Sequence, residues 1–169
     1  MPVNIRRARY DDVETILAWS NNRAIWMVDN PADYQPRSLA EFNPQWQTLV
    51  DHGTTWVIEL EGVAVGHLGW IQHAPEICEF YIILGEPSAL GRGIGREAMT
   101  WMLYEARARG LDVLYGRVLG NNPHALRFFN RLGFELIGRS EQYFERGGIA
   151  HDLLWLQADL SGFATERSA

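Results

Sequence analysis

Apolar positions two apart predict a short strand over residues 3–8. Helical spacing follows at Val13, Ile16 and Leu17, with Asp11 expected to cap the helix and Glu14 three residues on. Residues 21–37 keep no steady period, although Trp26, Met27, Tyr34 and two prolines lie there, and an irregular connection is expected. Ser38 and Glu41 form a second capping pair. Pro44 is expected to divide the next stretch into two short helices, the second carrying Trp46, Leu49 and Val50. Residues 54–60 and 63–72 read as strands around the Glu61-Gly62 turn.

The run Ile77–Leu84 is apolar almost throughout, as a central strand would be. Gly91, Gly93 and Gly95 then lead into a helix with Ala98, Met99, Met102, Leu103 and Ala106 along one stripe, stopped by Gly110. Val113–Leu119 reads as the next strand. Asn122 caps a helix with Pro123 at its first position, ending at Gly133. Residues 134–144 and 149–158 close the chain as a hairpin over Arg146-Gly147-Gly148. Strand, helices, three strands, helix, strand, helix and two strands predict an α+β fold on one mainly antiparallel sheet, and not a strictly alternating doubly wound one. One domain is expected over residues 1–161, with 162–169 a frayed tail.

Composition narrows the chemistry. The 169 residues suit a single core, and 47% are apolar. All 15 basic residues are arginine. Without lysine there is no Schiff-base chemistry, no lysine-anchored pyridoxal phosphate and no lysine-bearing nucleotide P-loop. Any phosphate must be held by arginine or backbone N–H groups. The net charge of -6 argues against a general nucleic-acid binder. The one cysteine, Cys78, excludes an intrachain disulfide and reads as buried filler. Residues 1–12 lack an apolar signal core, and no stretch nears the roughly 20 apolar residues of a membrane span. A cytoplasmic protein is expected. The five histidines show no metal-ligand spacing, so no metal is expected.

The sharpest local feature is the strand–glycine loop–helix unit from Ile82 to Trp101. Glycines on alternate positions let the backbone approach a ligand closely. Successive N–H groups at a helix N-terminus attract an anion, and Arg92 and Arg96 add charge there. The same glycines also suit a tight turn that binds nothing. The dinucleotide pattern G-x-G-x-x-G fails at Arg96.

Leu90, Gly91, Arg92, Gly93, Ile94 and Gly95 resemble the coenzyme A pyrophosphate loop of the GNAT N-acetyltransferase superfamily, pattern Arg/Gln-x-x-Gly-x-Gly/Ala. Leu90 departs from the first position. The block from Asn122 to Phe134 is similar to the family's Asn-x-x-Ala…Gly-Phe segment, and Glu61-Gly62 with Val65-Gly66 resembles its early hairpin. The start of the chain resembles the branch that acetylates ribosomal proteins. The resemblance covers nearly the whole chain.

The resemblance implies transfer of an acetyl group from acetyl-CoA, as cosubstrate, to an amine by direct attack. It implies splayed strands at Ile77–Leu84 and Val113–Leu119, with pantetheine between them. Backbone groups around Ile83, Leu84 and Gly85 would hold pantetheine and the thioester carbonyl, a hydrogen-bond donor there acting as an oxyanion hole. Leu90 to Arg96 would grip the pyrophosphate. Asn122 would face pantetheine or a water, or serve only as a helix cap.

An alkyl ammonium must lose a proton before it can attack. Glu79 matches a strand glutamate of some branches and is the candidate base; an outward-facing or ion-paired carboxylate is the alternative. Phe129 stands where many relatives carry a tyrosine that protonates the departing thiolate. Water, Tyr143 or Tyr81 could replace it, or the thiolate could leave unaided. The same residue is the motive for an alternative reading as a non-catalytic acyl-CoA-binding module. Acceptor choice in this family lies in the first helices, so Trp26 and Tyr34 are candidate substrate residues, with sheet cover as the other reading. The acceptor is expected to be a small-molecule amine or a protein N-terminus, and a homodimer through the closing hairpin is in keeping with the family.

Overall fold

The computed structural model describes residues 3–163. Among these, seven strands form one sheet in the order β1-β2-β3-β4-β5-β7-β6. They are β1 (Val3–Arg7), β2 (Thr55–Leu60), β3 (Val63–Ala74), β4 (Ile77–Leu84), β5 (Val113–Leu119), β6 (Glu135–Arg146) and β7 (Ile149–Asp159). Every neighbouring pair is antiparallel except β4 and β5. Those two are parallel and share only the Glu79–Tyr115 partnership. Beyond it they separate, as the resemblance implies. The β5-facing edge of β4 is left without a strand partner.

The long helix α4 (Ile94–Ala108) covers one face of the sheet. Ala98, Met99, Met102 and Ala106 are fully buried against Trp56, Ile58, Leu68, Leu114 and Leu156. The other face carries α1 (Val13–Ser20) and α3 (Leu39–His52), whose Ile16, Trp19, Phe42 and Trp46 bury Val57. A short helix, α2 (Arg23–Asp29), leans on β5. The last helix, α5 (Pro123–Arg131), sends Phe129 among Phe80, Phe128 and Phe134.

Three local expectations are corrected. Asp11 does not cap α1. A 3-10 turn at Tyr10–Asp12 precedes that helix, and Asp12 is the residue that fixes it. Asp12 accepts from the Arg9 N–H at 2.8 Å and from both Nη groups of Arg6. Burial pulls the Asp12 carboxyl upward, but the Arg6 and Arg9 hydrogen bonds outweigh it and hold the group below its ordinary value. Residues 21–37 are not irregular throughout, because Asn22 caps α2 by accepting from the Ala24 and Ile25 N–H groups. Pro44 does not divide α3. It removes the N–H that would serve the Ala40 carbonyl, while buried Phe42 and Trp46 hold the helix to the sheet on either side of it. The Ser38–Glu41 capping box forms as expected.

At the chain end, Phe163 packs edge-on against Tyr104 with ring centroids 5.2 Å apart. Residues 164–169 of the expected tail lie outside the described residues.

Candidate active site

A cavity of about 650 Å³ opens where β4 and β5 part. Its floor is the free edge of β4, with Ile83, Leu84 and Gly85. Gly85 lies directly under Trp19: a Cβ there would sit 2.1 Å from the indole ring. The indole Nε1 donates to Glu86 at 2.8 Å, which fixes the ring over the strand end. Pro87, Leu90, Gly95, Phe128 and Phe129 line the end nearest α4. Asn22, Ile25, Val28 and Asp29 of the α2 region form the opposite wall.

The loop before α4 is shaped by two left-handed residues, Gly91 at φ 70° and Gly93 at φ 80°. Gly93 is the N-cap position of α4, and no side chain caps that helix. Its first-turn N–H groups are thus left open toward a ligand. Arg92 and Arg96 are exposed beside them, whereas Ile94 points into the core. Gly95 serves a different need. A Cβ there would reach Leu84 and Phe128 at ordinary contact distance, on the cavity wall. The uncapped helix start, two exposed arginines and an unpartnered strand edge form a cradle that fits a pyrophosphate with an extended amide-bearing arm.

Asn122 has both partners within the protein. Its Oδ1 accepts from the Ala125 N–H at 3.1 Å, and its Nδ2 donates to the Val28 carbonyl at 3.0 Å. It also lines the cavity. Phe129 is buried there and carries no proton to give. Tyr81, on β4, also lines the cavity, but its hydroxyl is 2.6 Å from the Thr55 hydroxyl, and burial pushes its pKa well up. Tyr143 is half-exposed on β6 and is not part of the lining.

Glu79 faces the cavity and is largely covered, with its side chain 18% exposed. The Arg117 Nε donates to one of its oxygens. The other oxygen lies 2.8 Å from His73 Nε2. A register shift between Gln72 and Ala74 accompanies this reach of His73 around the end of β3. Because β4 and β5 are in register at Glu79 and Tyr115, Arg117 two residues on falls on the same face as Glu79. Asp29 enters from α2. Desolvation pushes its carboxyl up, Arg117 draws it back, and the Glu79 charge adds to the rise.

Trp26 and Tyr34 are not among the lining residues. Their rings meet edge to face at 6.0 Å. The Trp26 Nε1 donates to the Ala32 carbonyl and the Tyr34 hydroxyl to the Asn21 carbonyl, so they brace residues 21–34. Sequence reasoning missed His73 and Arg117 as site residues. Register across a parallel pair brings Arg117 in, and a bulge brings His73. Neither is visible in a linear pattern. Among the described residues no group of three or more His, Cys, Asp or Glu could hold a metal, and no helix is long and apolar enough to cross a membrane. Burial raises the Cys78 thiol, in keeping with filler.

The family model for the acetyltransferase (GNAT) family matches residues 19–134, more than half of the chain. The chain belongs to the GNAT acetyltransferase family. An uncharacterized N-acetyltransferase of Methanocaldococcus jannaschii is 30% identical over 108 residues, 60% of this chain and 48% of that protein. An L-methionine sulfoximine/L-methionine sulfone acetyltransferase of Pseudomonas aeruginosa is 31% identical over 70 residues, 41% of each. This GNAT chain thus matches about half or less of the length of these curated relatives. A putative acetyltransferase from Salmonella typhimurium, solved with its cofactor acetyl-CoA, superposes with a TM-score of 0.82 at 20% identity, covering 100% of both chains. That likeness bears out the fold.

Proposed function

We propose that the protein is an acetyl-CoA-dependent N-acetyltransferase acting on a primary amine, carried by a small molecule or by a protein N-terminus. One observation carries this reading. The parted strands leave a free backbone edge that leads from the uncapped start of α4 to the Glu79 carboxylate. Acetyl-CoA, when bound, supplies a thioester carbonyl open to attack by an amine.

The residues of the chain do the rest. The α4 N-terminus with Arg92 and Arg96 holds the phosphates, and the free edge at Ile83 and Leu84 orients the acyl arm. Glu79 accepts the proton that the acceptor ammonium must lose. Half-exposed His73, in contact with Glu79, gives that proton a way to solvent. Arg117 holds the carboxylate in place. Phe129 supplies no acid, so the thiolate takes its proton from water or leaves unprotonated, which a thiol pKa of about 8.5 permits.

The family membership and the single cysteine support a cytoplasmic enzyme. Residues 1–161 are read as its one domain. Exposed Leu136, Ile137 and Ile149 on the closing hairpin support pairing of two subunits.

Thiol release from acetyl-CoA across a panel of amines tests the reading. Glu79→Gln should lower kcat by roughly 100-fold and shift the alkaline rise of the pH–rate profile. An unchanged profile removes Glu79 from the base role. Phe129 favours a second reading, a module that holds acyl-CoA without turnover. Tight CoA binding with no acceptor acetylated, and no rate gained by Phe129→Tyr, would establish that one instead.

A further inference from the structure

Three charged side chains meet at the acceptor end of the cavity, and they are not equivalent. Both Glu79 oxygens are engaged, by Arg117 and by His73. Asp29 lines the same cavity, and neither of its oxygens makes a hydrogen bond or close ion pair among the described residues. Arg117 uses only its Nε on Glu79. Its two Nη groups have no hydrogen-bond partner among those residues, and its side chain is 43% exposed. The guanidinium plane rests near the Trp155 ring at 5.8 Å, which limits where its open fork can point. The cavity therefore offers one unused anion on α2 and one unused cationic fork on β5. The two are close enough to interact through space but are not in contact with each other.

We propose that this pair reads a zwitterion, so that the acceptor is a free amino acid whose ammonium meets Asp29 and whose carboxylate meets the Nη fork of Arg117. The inference rests on the amine-acetylation reading and narrows its substrate class. Each alternative acceptor leaves one member of the pair unanswered. A polyamine brings a second positive charge toward Arg117. A protein N-terminus places a neutral peptide amide where the fork needs an anion. Both groups are open to solvent in the free protein, so the cost arises when an acceptor covers them and leaves one charge without its counterpart, a mismatch that separates substrates. A planar guanidinium matches a carboxylate with two parallel hydrogen bonds, which an amide cannot accept in the same way.

The test compares matched acceptors on the intact protein. L-Methionine, L-leucine and L-phenylalanine are each assayed beside their carboxamide and their decarboxylated amine, with spermidine and an alanine-initiated peptide alongside. At least one free acid should exceed its carboxamide in kcat/KM by about tenfold or more. Arg117→Gln releases the Glu79 carboxylate and so should lower kcat for acid and carboxamide alike, but it should also erase the ratio of their kcat/KM values by raising KM for the acid, and Arg117→Lys should restore part of that ratio. Equal use of acid and carboxamide by the wild-type protein, or turnover of spermidine or the peptide alone, overturns the inference and leaves amine acetylation standing. Survival of the full preference in Arg117→Gln also overturns it. Because the wild-type comparison needs no variant, a failure of Arg117→Gln to fold does not rescue the idea. Acetyl-CoA binding with no thiol released by any compound overturns the amine-acetylation reading and this inference together.

Discussion

The two faces of the sheet are built on different principles. The α4 face is the drier one: alanine and methionine side chains of one helix mesh with apolar strand residues. The face under α1 and α3 is aromatic and threaded with polar contacts. Trp46 donates to the Arg9 carbonyl at 2.9 Å, Trp19 donates to Glu86, and Thr55 contacts Tyr81. At its centre lies His67, buried among Trp19, Trp46 and Tyr81 with neither ring nitrogen partnered among the described residues. The dry face supports the loop that would bind phosphates. The polar face supports the wall against which an acceptor would sit.

The contrast can be broken most sharply at Trp46. Trp46→Ala should cost about 3–5 kcal/mol, because a large cavity opens and the Arg9 carbonyl loses its donor. Denaturant titration reads that loss. Retained CoA affinity in the folded fraction would show that the two faces are separable.

The next effect is acid sensitivity. Burial lowers the His67 pKa from 6.5 to about 4. The unfolded chain therefore takes up a proton that the folded chain refuses. The cost is absent above pH 6.5, grows as pH falls, and is complete near pH 4. At about 1.4 kcal/mol for each pH unit it comes to about 3–4 kcal/mol. His67→Leu should flatten that part of the stability–pH curve, as measured by denaturation midpoints from pH 7 to pH 4. An unaltered slope would mean that the ring is not the source.

The smallest effects lie in the glycine loop. Gly93→Ala forces a left-handed alanine and should cost about 1–2 kcal/mol. Gly95→Ala adds a methyl in helical geometry and should be neutral or stabilising by about 0.5 kcal/mol. Its methyl points to the cavity wall, so calorimetry should show weaker CoA binding with no loss of Tm. Equal behaviour of the two variants would remove the distinction drawn between them.

These regions also differ in how far the sequence reveals them. The dry face announces itself, because the stripe from Ala98 to Ala106 has one period and one partner surface. The Glu61-Gly62 hairpin, the apolar β4 and the Asn122–Pro123 helix start are equally local signals, and each lies where the pattern puts it. The acceptor side depends on contacts between distant residues. Helix α2 has only seven residues, apolar around most of its girth, so no stripe betrays it. Pro44 misled because local propensity was outvoted by the burial of Phe42 and Trp46. The engagement of Glu79 by Arg117 and His73 follows from strand register and a bulge, which no spacing encodes. Asp29 gains its character only from the wall it stands in.

The fastening of α2 has a separate consequence. Arg146, from the turn end of the closing hairpin, donates to the Met27 carbonyl and, at 2.9 Å, to the Asn30 carbonyl. Asn122 holds the Val28 carbonyl between them. All three grips are on main-chain oxygens. The side chains of the acceptor wall can therefore be exchanged without loosening the wall itself. A protein fastened in this way can take on new acceptors by small, independent changes in α2, while the clamps that keep its shape are encoded more than ninety residues away.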